Sequence, residues 1–136
     1  GGREWELLSD LHHVGVNKER LFTVSGPALP VPAIAGSDVV LDCKCSIDLP
    51  REGVEVRWFR TRYDSPVHLY KEGRQQLETQ DEAYRHRTQL FVEGFINGDV
   101  SLRLGDVWGT DNGEYTLMFV IHFISCNLCV QTFIIC

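Results

Sequence analysis

Methionine is nearly missing from this chain: its 136 residues hold one. That argues against a pliable Met-lined groove of the kind promiscuous binders use. Basic charge is also scarce, with 13 Lys and Arg against 19 Asp and Glu and a formal net charge of −6. Nucleic-acid binders normally carry a basic stripe, so that class is disfavoured. No apolar run of signal-peptide length lies among Arg3, Glu4, Glu6, Asp10, Lys18, Glu19 and Arg20. There is no G-x-S-x-G elbow, no Walker motif and no dinucleotide-binding glycine motif, so nothing points to an enzyme or a cofactor. Asn17, Asn97 and Asn112 lack the Ser or Thr of a glycosylation signal, and Asn127-Leu128-Cys129 is only its rare Cys form.

What is present is ordinary globular composition, 43% hydrophobic and 24% charged, at the length of a single domain. Five cysteines is an odd number, so at least one thiol has no partner within the chain. The chain starts at Gly1, which leads to the expectation of a fragment or processed product. Near that end Trp5, Leu8, Leu11 and His12 recur three or four residues apart, the spacing of a short amphipathic helix that Gly15 would stop. At the other end no Asp, Glu, Lys or Arg occurs from Tyr115 to Cys136. A membrane helix needs about 20 mostly apolar residues. Here His122, Ser125, Asn127, Gln131 and Thr132 interrupt the run and no basic flank follows. Buried strands with a turn near Ser125–Asn127 fit better.

Between these ends the chain reads as short β-rich runs bounded by turn residues. In Asp38–Cys45, Val39, Leu41, Cys43 and Cys45 fall on one face by strand alternation. Val54, Val56 and Trp58 share a face of the next run, with Glu55, Arg57 and Phe59 on the other. Val67–Tyr70, Thr88–Val92, Val100–Leu104 and a strand from Glu114 follow, separated by Gly, Asn and Asp. Long helical periodicity is absent, so the expected class is all-β, an antiparallel sandwich or barrel.

Particular residues narrow this. Cys43 precedes Trp58 by 15 positions, and Asp111-Asn112-Gly113-Glu114-Tyr115 forms a corner motif. In both respects the chain resembles an immunoglobulin V-type domain. Phe22–Pro27, Glu55–Arg60, Val67–Lys71 and Tyr84–Thr88 are similar to the butyrophilin and myelin-oligodendrocyte glycoprotein family in particular. The resemblance runs from about Phe22 to Phe119. It implies an N-terminal extension over 1–21, a V-like domain over 22–121 and an atypical apolar tail over 122–136. It implies a core built on Cys43, Trp58, Leu102, Tyr115 and Leu117, and an Arg87–Asp111 ion pair closing the bottom of the sandwich. One departure stands out. The family places a cysteine two residues after the corner tyrosine, where this chain has Leu117, so the usual inter-sheet disulfide cannot form. A disulfide of that kind contributes about 2–5 kcal/mol.

The other cysteines carry weak signals. Cys43 reads as a core thiol, with pairing to Cys126, Cys129 or Cys136 as the alternative. Cys43 and Cys45, two apart on one strand, sit near the upper limit of disulfide geometry. Cys126-Asn127-Leu128-Cys129 has C-x-x-C spacing without the second pair a zinc or redox site would need. His12-His13 has no accompanying carboxylates and reads as an exposed pair.

The resemblance implies a non-enzymatic recognition domain on the external face of the plasma membrane, attached through segments outside this chain. It further implies contact with a protein receptor or counter-receptor on another cell, modulating T-cell receptor signalling and cytokine production. Strand alternation nominates Arg57, Phe59, His68, Tyr70 and Met118 as the partner-binding face, since aromatic residues and arginine favour such anchors. A structural or adhesive module that self-associates edge to edge is the second reading, because an unpaired strand edge templates pairing.

Overall fold

The computed structural model describes residues 2–6, 23–121 and 124–135. Two sheets pack face to face. The front sheet contains β3 (Val31–Pro32), β12 (Ile124–Ile135), β11 (Gly113–Ile121), β6 (Val54–Phe59), β7 (His68–Lys71) and β8 (Arg74–Gln75), in that spatial order. The back sheet is made of two three-stranded ladders, β1 (Gly2–Glu6), β2 (Thr23–Pro27), β5 (Lys44–Cys45) and β4 (Val39–Leu41), β10 (Leu102–Leu104), β9 (Thr88–Leu90), with an isolated bridge between Lys44 and Asp99. β4 and β5 are two parts of one run. Between them the Cys43 N–H leaves the ladder to donate to Ser101 Oγ at 3.0 Å. The Cys43 carbonyl still accepts from Val100 N at 3.0 Å, and Cys45 N donates to Gly98 O at 2.7 Å. All strand pairs are antiparallel except β12 with β3.

Alternation in the sequence becomes burial in the fold. Val54, Val56 and Trp58 of β6 are at most 2% exposed, and Val39, Leu41, Cys43 and Cys45 turn their side chains to the same interior from the opposite sheet. Trp58 Nε1 donates to the Val100 carbonyl at 3.1 Å, tying the front sheet to the back one. The Gly-rich stretch after β9 is more than a turn. Val92–Asn97 coils into a 3₁₀ helix that buries Phe95 completely, edge-on to Tyr70 with ring centroids 5.1 Å apart. Glu72 and Gly73 both have positive φ, 55° and 77°, which gives the tight β7–β8 turn its hairpin twist.

The N-terminal end differs from the helix expected of it, and at the C-terminal end the expected strand is present but its turn falls elsewhere. Trp5 lies on β1, a strand paired with β2 from Gly2↔Pro27 to Glu6↔Thr23, not on a helix. Pairing with an open sheet edge outcompetes a marginal short helix. Leu8, Leu11, His12 and His13 lie outside the described residues. After β11 the chain reverses between Ile121 and Ile124, ahead of Ser125–Asn127, and continues as a 12-residue strand. No Gly or Pro breaks that stretch, so it propagates. The 121/122 boundary therefore falls inside a β-hairpin, and the tail is part of the front sheet. Cys136 and the side chains of Cys126 and Cys129 lie outside the described residues.

Gly98 caps the 3₁₀ helix at φ 77°, and a Cβ there would collide with the Cys45 carbonyl. Gly98→Ala should destabilise the domain by about 1–3 kcal/mol, through backbone strain and that clash. Urea unfolding with an unchanged midpoint would contradict this.

Candidate functional site

Two clusters of functional side chains emerge, one at the bottom of the sandwich and one on the outer face of the front sheet. The first centres on Asp111, buried where a 3₁₀ turn precedes β11. Arg87 meets it in a two-pronged pair, Nη1 to Oδ2 at 2.8 Å and Nη2 to Oδ1 at 3.0 Å. The remaining Arg87 N–H groups donate to carbonyls of Ala83, Gly105 and Asp106, and its guanidinium stacks 3.8 Å from the Trp108 ring centroid. The Trp108 N–H donates to Asp111 Oδ2 at 2.7 Å. Burial penalises the Asp111 charge. The Arg87 bonds and the Trp108 N–H outweigh it and hold the carboxyl below its ordinary value.

Tyr115 completes this corner. Its hydroxyl donates to the Asp111 carbonyl at 2.6 Å and lies 3.0 Å from the Tyr84 hydroxyl. Arg60 donates to Tyr84 Oη at 3.0 Å, Thr110 O at 2.8 Å and Asn112 O at 2.7 Å, so β6 is fastened to the same corner. Burial pushes the Tyr115 phenol well above its ordinary pKa, so the hydroxyl stays protonated as a donor.

The core above this corner has no cross-link. Cys43 and Cys45 are buried free thiols. Burial, with Asp42 and Asp99 adding to it, pushes the Cys43 thiol up to about 12, so the nucleophilic thiolate is scarce at neutral pH. Leu117 is fully buried in the same cluster as Cys43, Trp58, Leu102 and Tyr115. Burying a leucine there supplies about 1.5–3 kcal/mol in place of the sulfur bridge. Among the described residues no group of three or more His, Cys, Asp or Glu side chains could hold a metal ion.

On the outer face of the front sheet the register separates the five nominated residues. Thr116↔Phe59 and Met118↔Arg57 are cross-strand neighbours, so these four side chains share that face. His68 and Tyr70 do not. They oppose Trp58 and Val56, which places them on the inner side, each 2% exposed. Strand β7 is one residue out of phase with the sequence expectation, and a slip of one exchanges the faces. Leu69 and Lys71 take the outer positions instead. Arg57 points outward but is only 8% exposed. Its guanidinium lies 3.9 Å from the Tyr63 ring centroid, donates to Tyr63 O at 2.7 Å and pairs with Glu55 at 3.3 Å. Glu55 in turn meets Lys71 at 3.8 Å. Tyr63 packs edge-on to Phe59, centroids 5.7 Å apart, and is 48% exposed. Sequence reasoning missed Tyr63 because it lies in a turn, outside the alternation. The signal was an aromatic next to Arg60-Thr61-Arg62.

Two sheets of this connectivity, closed by an arginine–aspartate pair and a tyrosine corner, define an immunoglobulin-type variable sandwich. The family model described as the immunoglobulin V-set domain matches residues 27–126, and the chain belongs to that family. It is 39% identical over 116 residues to myelin-oligodendrocyte glycoprotein of Macaca fascicularis, covering 85% of this chain and 47% of that protein. It is also 39% identical over 98 residues to human butyrophilin subfamily 1 member A1, covering 72% of this chain and 19% of that protein. The chain thus spans less than half the length of these curated relatives. Among solved structures, the human B7-H4 IgV-like domain aligns with TM-score 0.72 and 28% identity, covering 83% of this chain and 95% of that one. Bovine butyrophilin aligns with TM-score 0.71 and 30% identity, covering 80% and 51%. Among the described residues no helix is long and apolar enough to cross a membrane.

Leu117→Cys should form a bridge to Cys43 and stabilise the domain by about 2–4 kcal/mol. Intact mass would show the loss of two hydrogens, and persistence of both thiols after oxidative refolding would refute it. Asp111→Asn should cost about 3–5 kcal/mol, because it leaves Arg87 buried and unpaired. The native Asp111 pKa lies below its ordinary 3.8. The stability it supports is therefore complete above that value and is lost as pH falls through the depressed native one. The variant should show a flatter acid limb in urea titrations from pH 5 to 2, and an identical limb would contradict the assignment.

Proposed function

We propose that the chain is the recognition domain of a butyrophilin-like protein at the external face of the plasma membrane, attached through segments beyond this chain. It binds a protein receptor or counter-receptor on another cell through the outer face of the front sheet, and this contact modulates T-cell receptor signalling and cytokine production. The observation that carries this reading is the Phe59–Tyr63–Arg57 stack on that face. The arginine is neutralised from within by Glu55, so an exposed aromatic is presented on a positioned base. Pre-ordering of this kind lowers the entropic cost of binding. Met118 flanks the stack across the strand pair from Arg57. Support also comes from the V-set family itself. A chain from the crystal structure of ICOS in complex with ICOS-L and an anti-ICOS-L VNAR domain aligns at TM-score 0.70 and 27% identity.

A fluorescent multimer of the 136-residue chain should stain T cells, and the chain coated beside a receptor-stimulating antibody should change their cytokine output. Phe59→Ala with Tyr63→Ala should reduce staining about tenfold or more without lowering the unfolding midpoint. Undiminished staining by the double variant would refute the face. Absence of staining and of any cytokine change with the unmodified chain would refute the function.

Self-association is the second reading, and one observation favours it. Among the described residues β12 bonds a strand on its second edge only at Ile134 and Ile135. Light scattering showing a monomer at millimolar concentration would remove it.

A further inference from the structure

His68 is the buried imidazole of the described structure, 2% exposed, whereas His86 lies at the surface. The ring sits between the two sheets. β7 carries it in the front sheet, and its Nδ1 lies 2.8 Å from the hydroxyl of Thr88, which opens β9 in the back sheet. Its Nε2 meets the side-chain oxygen of Gln75 on β8. Gln80 Nε2 donates to the same Thr88 hydroxyl at 2.8 Å, and also to the Val67 carbonyl at 2.9 Å. These contacts fix the proton. An amide oxygen only accepts, so Nε2 carries the hydrogen, and bare Nδ1 accepts from the Thr88 O–H.

A second proton is poorly served by this arrangement. At Nδ1 it would take the remaining lone pair of the Thr88 oxygen, which already accepts from Gln80, and would turn the hydroxyl hydrogen out of its bond. Among the described residues no carboxylate pairs with the ring to meet the new charge. On β6, Glu55 and Arg57 stand on the opposite face, as does Lys71 on β7. Arg74 on β8 pairs with Glu78. Tyr70 donates to the Arg51 carbonyl, and Tyr84 is bound to Arg60 and Tyr115. Arg87, just before β9, is engaged by Asp111. The ring would be a buried cation with neutral partners, which is costly.

We propose that His68 is an acid-sensitive latch between the sheets: its protonation releases the Gln75–His68–Thr88 tie and loosens β8 and the connection from Gln76 to Gln80 while the rest of the core holds. Burial moves the ring below its ordinary value of 6.5, with the Gln75 bond opposing that shift. The native state therefore holds fewer protons than the unfolded one. The stability involved is complete above that ordinary value and declines as pH falls below it towards the depressed native one. A cell-surface protein drawn into an acidic compartment would loosen this edge and keep its fold.

Amide hydrogen exchange on the full chain tests the latch. After correction for intrinsic rates, protection at Leu69, Gln75 and Thr88 should be partly lost between pH 7 and 5. His68→Gln should abolish that loss. Constant protection in the unmodified chain, or the same loss in the variant, would overturn the proposal. If the variant does not fold, ring NMR of the unmodified chain decides. Titration below 6.5 with concerted shifts at the Gln75 and Thr88 amides supports the latch. Titration at or above that value, or without those shifts, overturns it.

Discussion

The two-pronged contact between Arg87 and Asp111 fixes how the ends of the strands meet. Both side chains are almost fully buried, 8% and 2% exposed. Two charges out of water are a net cost unless every remaining lone pair and proton is engaged. Here they are engaged: Arg87 spends its other N–H groups on three carbonyls, and Asp111 takes the Trp108 N–H. From that fixed point the Asp111 carbonyl receives the Tyr115 hydroxyl, Tyr115 meets Tyr84, and Tyr84 meets Arg60. Strand β11 thereby enters the sandwich at one angle and one register. The outer face of the front sheet inherits its order from this corner.

The corner also explains how the fold tolerates Leu117 in place of a cysteine. Polar closure at the bottom and the Trp58–Val100 bond through the middle both join the sheets without sulfur. The core contributes area, with Leu117, Leu41, Leu102 and Trp58 all fully buried. Directional bonds specify the pairing of the sheets, and apolar burial supplies the bulk of the free energy.

Much of this was legible in the sequence. The alternation of Val54, Val56 and Trp58 rests on a local rule, the Cys43–Trp58 spacing and the Asp111–Tyr115 motif on family resemblance, and the sheets follow both. The inner position of His68 and Tyr70 was not legible. Which face a short strand shows depends on its register against a neighbour, and Val67–Tyr70 reads equally well in either phase. Tyr63 and Phe95 escaped for another reason: both lie outside strands, where no periodicity marks a side chain as exposed or buried. The strand character of the tail was legible from its apolar run, but the position of the reversal was not, because no Gly or Pro marks it. Backbone pairing needs only an unbroken extended run, and Ile124–Ile135 supplies one.

The free thiol of Cys43 beside Leu117 has a mechanical consequence. Under tension, a sandwich stapled between its sheets can release only the chain outside the staple. Here no staple joins these two positions. A pull that breaks the corner could pay out the whole stretch from Cys43 to Leu117, roughly 250 Å at full extension. Under load such a domain would act as an extensible fuse, lengthening where one bonded between these two positions would hold that stretch.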